Sequence, residues 1–140
     1  MNKSKKIFIV DDDHVTLAYL EHILTEVKGF DVEVFTNARA CLINLEKEPD
    51  LVIIDSVFHK TKAGAAIANG ADLLERILTR RPEMPIIALS AKKDQTSIYN
   101  FIVRGARNYV TKEGNYIPEL LKAIDEELEI EDLYKSINAM

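Results

Sequence analysis

The chain has 140 residues, 47% of them hydrophobic, with 18 lysines and arginines against 23 acids and a net charge of −5. That size and apolar content suit one domain with its own core and exclude a disordered chain, while the acidic balance argues against a nucleic-acid interface, which needs a basic footprint. No apolar stretch approaches the ~18 residues of a membrane span, the polar, basic start from Met1 to Lys6 leads into no signal-type segment, and the lone Cys41 rules out an internal disulfide, so a cytoplasmic protein with no membrane partner is expected.

In chain order, Ile7 to Val10 is a short apolar run that predicts a first strand, ended by Asp11, Asp12 and Asp13. Leu17, Leu20, Ile23, Leu24 and Val27 recur at helical spacing, so His14 to about Val27 reads as a helix closed by Gly29, with Asp13 as its cap. Val32, Val34 and Phe35 make a second strand. Asn37 caps a helix that buries Ala38, Cys41, Leu42 and Leu45 and stops before Pro49. Leu51 to Ile54 is a third apolar run, ended by Asp55. A helix starting near Gly70 buries Leu73, Leu74, Ile77 and Leu78, and Arg80 and Arg81 near its end suit the helix dipole. Ile86 to Leu89 form a fourth strand ending at Ser90. Asp94 caps a fourth helix with Ile98, Phe101 and Ile102 inward and Gly105 as stop. Tyr109 and Val110 mark a short fifth strand before Lys112, and Asn115 and Pro118 start the last helix.

Alternating strands and helices of this kind predict an α/β domain: a doubly wound, five-stranded parallel sheet with helices on both faces. Right-handed crossovers leave few topologies, and strand order 2-1-3-4-5 is a common one. It gathers Asp11, Asp12, Asp55, Ser90 and Lys112 along one edge, where open α/β sheets bind ligands. Crowded carboxylates repel unless a cation sits among them. Oxygen-only ligands in an open cleft suit Mg²⁺. A metal, an ammonium and a hydroxyl around one carboxylate are what an incoming phosphoryl group needs. His22 and Cys41 have no partner at motif spacing and read as structural, and His14 reads as the opening residue of its helix.

Val10-Asp11-Asp12, Asp55 after an apolar strand, Ser90-Ala91, and Gly105-Ala106 through Tyr109 to Lys112 together resemble the receiver domain of bacterial two-component response regulators, over nearly the whole chain. The resemblance implies a flavodoxin-like fold. It implies Asp55 as acceptor of a phosphoryl group from a sensor histidine kinase or histidine phosphotransfer protein. Asp11, Asp12, Asp55 and the backbone carbonyl of Val57 would hold Mg²⁺, with Lys112 on the phosphoryl oxygens. Ser90 would swing to bond one of them and Tyr109 would turn inward, although taken alone Tyr109 reads as half-buried packing. The altered face of the fourth helix, fifth strand and last helix would then meet a downstream protein.

The sequence departs from the family in three places. No Pro occurs in Ser56 to Asn69; if Asn69-Gly70 is the family's turn, the loop has gained about seven residues, read as a tolerated insertion. Its Lys60 or Lys62 could approach the acidic cleft. Glu113, not Pro, follows Lys112, so a trans bond is expected there. Val57 and Lys92 occupy positions that in the family tune attack of water on the phosphoaspartate; an apolar Val57 predicts slow self-dephosphorylation.

The whole chain reads as a single receiver domain, its core about 5–128, with 129–140 a helical extension or tail. Ile117, Leu120, Leu121, Ile124 and Leu128 form one stripe of the last helix; Ile130, Leu133, Tyr134 and Ile137 form another, roughly opposite. Either the helix breaks near Glu129 to Glu131 or it carries an apolar back face that folds back, forms a homodimer or contacts another protein. Asp125, Glu126, Glu127, Glu129, Glu131 and Asp132 read as a solvated face. A stand-alone phosphoacceptor switch without direct DNA binding is expected, not an enzyme beyond self-phosphorylation and self-dephosphorylation. Two alternatives are a degenerate receiver that only binds, and an aspartate-nucleophile phosphohydrolase.

Overall fold

The structure, a computed structural model, describes residues 4–58, 67 and 69–140. Five strands, β1 (Lys6–Val10), β2 (Asp31–Phe35), β3 (Leu51–Ile54), β4 (Ile86–Ser90) and β5 (Asn108–Thr111), form one parallel sheet in the order β2-β1-β3-β4-β5. The helices are α1 (His14–Glu26), α2 (Ala38–Ile43), α3 (Gly70–Arg80), α4 (Gln95–Val103) and α5 (Ile117–Asn138).

Alternate strand residues face opposite layers. Phe8, Val10, Val52, Ile54, Ile86 and Ala88 pack with α2, α3 and α4, whereas Ile7, Ile9, Leu51, Ile53, Ile87 and Leu89 pack with α1 and α5. All twelve are essentially inaccessible to solvent. This two-sided burial is why the central strands read as unbroken apolar runs. Each large side chain among them contributes about 1.5–3 kcal/mol relative to exposure.

The predicted caps form. Asp13 accepts the Val15 N–H at 3.2 Å and the Thr16 hydroxyl at 2.6 Å, Asn37 accepts from Ala40 at 2.9 Å, and Asp94 accepts from Ser97 at 3.0 Å. Gly29 and Gly105, with φ of 70° and 118°, close α1 and α4 in the left-handed region that a side chain disfavours.

Several expectations of the core need correction. Val27 is 69% and Ile102 45% exposed, and Ile23, Leu78 and Ile98 are only half-buried. Position in the layer explains α4: it lies over the edge strand β5 and fully buries only Phe101, whose ring meets that of Tyr109 edge-on at 5.8 Å. The second helix tightens into a 3₁₀ turn over Asn44–Lys47, which still buries Leu45, and Glu48 then takes a φ of 54°. Glu48 precedes Pro49, whose ring disfavours helical backbone at the residue before it. The Cys41 thiol is fully buried, which pushes its pKa up to about 12 and leaves it an inert core residue.

Helix α5 does not break. It runs 22 residues, burying Leu120, Ala123, Ile124, Glu127 and Leu128, and leaves Leu133, Tyr134 and Ile137 well exposed. Its acidic cluster is not simply solvated: Asp125 pairs with Lys28 at 2.8 Å, Glu131 with Arg107 at 2.5 Å and Asp132 with Lys5 at 2.7 Å. Such pairs contribute about 0.2–1 kcal/mol each; the three tie the helix to three separate segments of the chain. No helix among the described residues is long and apolar enough to cross a membrane.

Glu127 sits among these pairs without a hydrogen-bond partner for its Oε2 among the described residues. Burial raises its pKa above the ordinary 4.5; Arg107 opposes the rise, and Glu126 and Glu131 add to it. Because the raised pKa belongs to the folded state, the penalty is absent below pH 4.5, grows above it and then stays constant. Glu127→Met is therefore expected to stabilise the domain by about 1–2 kcal/mol at neutral pH. Thermal melts should show the gain shrinking as the pH falls towards 4.5.

Candidate functional site

The site is built by continuing the sheet's hydrogen-bond ladder one residue past each strand. Asp11 N–H donates to Phe35 O at 3.0 Å, Asp55 N–H to Val10 O at 3.0 Å, and Lys112 N–H to Ser90 O at 2.8 Å. These bonds hold Asp11, Asp55 and Lys112 along the carboxyl edge, as the strand order requires. Asp11, Asp12 and Asp55 are buried, and each offers a carboxylate oxygen within 4.8 Å of the others. The Lys112 ammonium lies 2.6 Å from Asp11 Oδ2 and 3.9 Å from Asp55 Oδ2. The chain has no cis peptide bond among the described residues, and Lys112 followed by Glu113 reaches the cleft.

Electrostatics follow from this packing. Burial, and then the charge of Asp11, push the Asp55 carboxyl up to about 6. Lys112 and the Val57 backbone N–H, which hydrogen-bonds the carboxylate, hold that rise in check. Burial works against the Lys112 ammonium, but its hydrogen bond to Asp11 and the charges of Asp55 and Asp11 prevail and raise its pKa. The second oxygen of Asp11 accepts from Asp13 N–H at 2.9 Å. Three converging buried carboxylates, oxygen donors only, form a donor set that fits Mg²⁺.

Ser90 is fully buried, and its Oγ accepts the Lys92 N–H at 3.0 Å and is hydrogen-bonded to Ser56 Oγ. The Tyr109 hydroxyl donates to the Lys92 carbonyl at 2.5 Å. Val57 is half-buried beside Asp55, and His14 and His22 are exposed. Lys60 and Lys62, with most of the inserted loop, lie outside the described residues. The sequence offers no signal for Ser56 and marks Gly70 only as the start of its helix and, with Asn69, as a match to the family's turn. Ser56 is an ordinary serine until the fold sets it against Ser90. Gly70 packs on the Asp55 carbonyl so tightly that a Cβ would sit 2.1 Å from that oxygen, and its N–H donates to Ser56 O at 3.1 Å.

Fold and site together define a class: a doubly wound α/β domain presenting one carboxylate in an acidic, lysine-bearing pocket at the strand ends. The chain belongs to the response regulator receiver domain family, whose model matches residues 7–125, and it is a signalling domain of two-component systems. Among curated relatives it is 28% identical over 110 residues to the alkaline phosphatase synthesis transcriptional regulatory protein PhoP of Bacillus subtilis, covering 78% of this chain and 42% of that protein. It is 31% identical over 109 residues to the DNA-binding response regulator MtrA of Mycobacterium tuberculosis, covering 77% and 44%. The chain thus spans less than half the length of these two regulators. Among solved structures, a CheY-like response regulator receiver domain protein from Methanospirillum hungatei matches with a TM-score of 0.80 at 29% identity, over 94% of this chain and 99% of that one. The BeF3-activated DrrB receiver domain matches with a TM-score of 0.76 at 27% identity, over 91% and 99%.

Proposed function

We propose that the chain is a phosphoacceptor switch that takes a phosphoryl group on Asp55 from a sensor histidine kinase or histidine phosphotransfer protein. The observation that carries this reading is the convergence of three buried carboxylates within 4.8 Å with the Lys112 ammonium between two of them. An Asp55 oxygen attacks phosphorus as the bond from phosphorus to the donor's imidazole nitrogen breaks. The electron pair of that bond stays on the nitrogen, and the phosphoryl oxygens keep their charge. Asp11, Asp12, Asp55 and the Val57 backbone carbonyl would hold Mg²⁺, which when bound supplies positive charge against the carboxylates and the phosphoryl oxygens. Lys112, already 3.9 Å from Asp55, pairs with a phosphoryl oxygen, and Ser90 donates its hydroxyl to another. The added charge of about −1.5 to −2 favours whichever arrangement offers these donors.

The output follows from the hydrogen-bond chain at β4. Ser90 holds the Lys92 N–H and Tyr109 holds the Lys92 carbonyl, so movement of Ser90 frees Tyr109 to turn inward and reshapes the α4-β5-α5 face for a downstream protein. Direct DNA contact is no part of this reading, given the net charge of −5. A cytoplasmic setting and a core of about 5–128 with 129–140 as extension are parts of it. A phosphohydrolase usually places a second acid two residues beyond the nucleophile, where this chain has Val57. A degenerate receiver would lack part of the acid, hydroxyl and lysine set, which is intact.

Titration with beryllofluoride, a phosphoryl mimic, in the presence of Mg²⁺ tests the reading. The native chain is expected to bind and Asp55→Asn to fail. Turnover of a small phosphate ester, or equal binding by the variant, would count against it. Val57 has no polar group to orient a water near Asp55, so Val57→Asn is expected to speed loss of the phosphoryl group, followed by the decay of the phosphorylated mass. Unchanged or slower decay would remove that role for Val57.

A further inference from the structure

We propose that Ser56 is a positioning residue for Ser90, a latch that holds the Ser90 hydroxyl in the resting arrangement. The inference rests on the phosphoacceptor reading and adds to it a residue for which neither the family pattern nor the sequence offered a role. The two hydroxyls are hydrogen-bonded to each other in a buried position, Ser56 at 7% and Ser90 at 1% exposure. Water does not readily replace a partner lost there.

A serine hydroxyl has one hydrogen and two lone pairs. One lone pair of Ser90 is committed to the Lys92 N–H. The oxygens of a phosphoryl group on Asp55 only accept, so Ser90 must turn its single hydrogen towards them. Either hydroxyl can donate in the Ser56–Ser90 bond; with Ser90 as its donor at rest, as the latch requires, meeting the phosphoryl group exchanges that bond for a new one.

Ser56 is also joined covalently to Asp55, and its carbonyl accepts the Gly70 N–H that anchors α3. The latch thus belongs to the same backbone segment as the acceptor. On the other side, the bonds continue through the Lys92 peptide to the Tyr109 hydroxyl. Ser56, Ser90, Lys92 and Tyr109 form one hydrogen-bonded path from the residue after the phosphoacceptor to the output face. Spatial continuity alone does not establish coupling, so the test is a double-mutant cycle.

Beryllofluoride is titrated with Mg²⁺ into the native chain and into Ser56→Ala, Ser56→Thr, Ser90→Ala and the Ser56→Ala/Ser90→Ala pair. Tyr109 ring resonances are followed by NMR. Ser56→Ala is expected to bind about three- to tenfold more tightly, the range set by one net hydrogen bond. The free chain's Tyr109 signals should also move towards their bound positions. Ser56→Thr, which keeps the hydroxyl, should return both readouts to native values, and the Ser56→Ala gain should vanish in the Ser90→Ala background. A merely structural role would lower the melting temperature without moving Tyr109. The latch is overturned if Ser56→Ala binds no more tightly than native, if Ser56→Thr behaves like Ser56→Ala, or if the gain persists without Ser90. Failure of the native chain to bind beryllofluoride would instead overturn the phosphoacceptor reading, and the latch with it.

Discussion

Lys112→Met is expected to remove about 3 kcal/mol of stability in metal-free buffer and to slow phosphoryl acceptance about a hundredfold. Lys112 is the one ammonium ion-paired with Asp11 and Asp55 among the described residues, and its side chain is only 17% exposed. Removing it leaves the buried Asp11 and Asp55 carboxylates without that counter-charge. Breaking a buried pair from one side costs more than the pair's net worth, because the remaining charge keeps its desolvation penalty. The pKa of Lys112 is raised in the folded state, so its contribution is fully present below the unfolded value of 10.5 and is lost as pH rises through the higher folded value. The deficit of the variant should therefore hold across neutral pH and narrow above 10.5. Added Mg²⁺ should restore stability to the variant, since a ligand of the folded state stabilises by mass action, but not its phosphorylation rate, which needs the ammonium on a phosphoryl oxygen. Chemical denaturation with and without Mg²⁺ checks the first part, and timed acetyl phosphate labelling the second. A variant as stable as native without metal would show that the carboxylates do not need this lysine.

Gly70→Ala is expected to be the most damaging glycine-to-alanine change among the described residues, costing about 3 kcal/mol and most of the site's activity. The added Cβ would meet the Asp55 carbonyl oxygen at 2.1 Å, and the Asp55 carbonyl carbon and Ser56 Cα at 3.0 Å. These are backbone atoms, so no rotamer change relieves the clash; either α3 withdraws or the Asp55 peptide shifts. Withdrawal also breaks the bond from Gly70 N–H to Ser56 O. Asn69→Ala serves as the control. It removes the side chain that accepts the Asp72 N–H at 3.0 Å and should fray α3 for about 1 kcal/mol without moving Asp55. If Gly70→Ala only matched that control in denaturation and beryllofluoride binding, the close approach of α3 to the acceptor would carry no functional weight.

The sequence made the sheet legible because both of its faces are covered: runs such as Leu51 to Ile54 read as strands without any need to know their neighbours. Asp11, Asp12, Asp55, Ser90 and Lys112 were legible because each ends or follows a strand, and strand order alone brings them to one edge. What failed were questions of how far a helix is covered. Ile102 has the helical spacing of a core residue, but α4 sits at the end of the sheet and has little to bury it against. Periodicity also could not choose between a broken and a continuous α5. The continuous helix is instead supported by partners remote in sequence, such as Lys5 for Asp132 and Arg107 for Glu131, which no local pattern reveals. The pairing of Ser56 with Ser90 and the seat of Gly70 on Asp55 are likewise meetings of distant backbone segments that no local pattern encodes.

The central claim is that the pocket at the strand ends makes Asp55 a phosphoryl acceptor. Incubation with acetyl phosphate and Mg²⁺, followed by peptide mass spectrometry of the native chain and of Asp55→Asn, tests it most directly. The expected result is one added phosphoryl group, mapped to Asp55, that requires Mg²⁺ and is absent from the variant. An unmodified native chain, or a group that maps elsewhere and survives in Asp55→Asn, would contradict it.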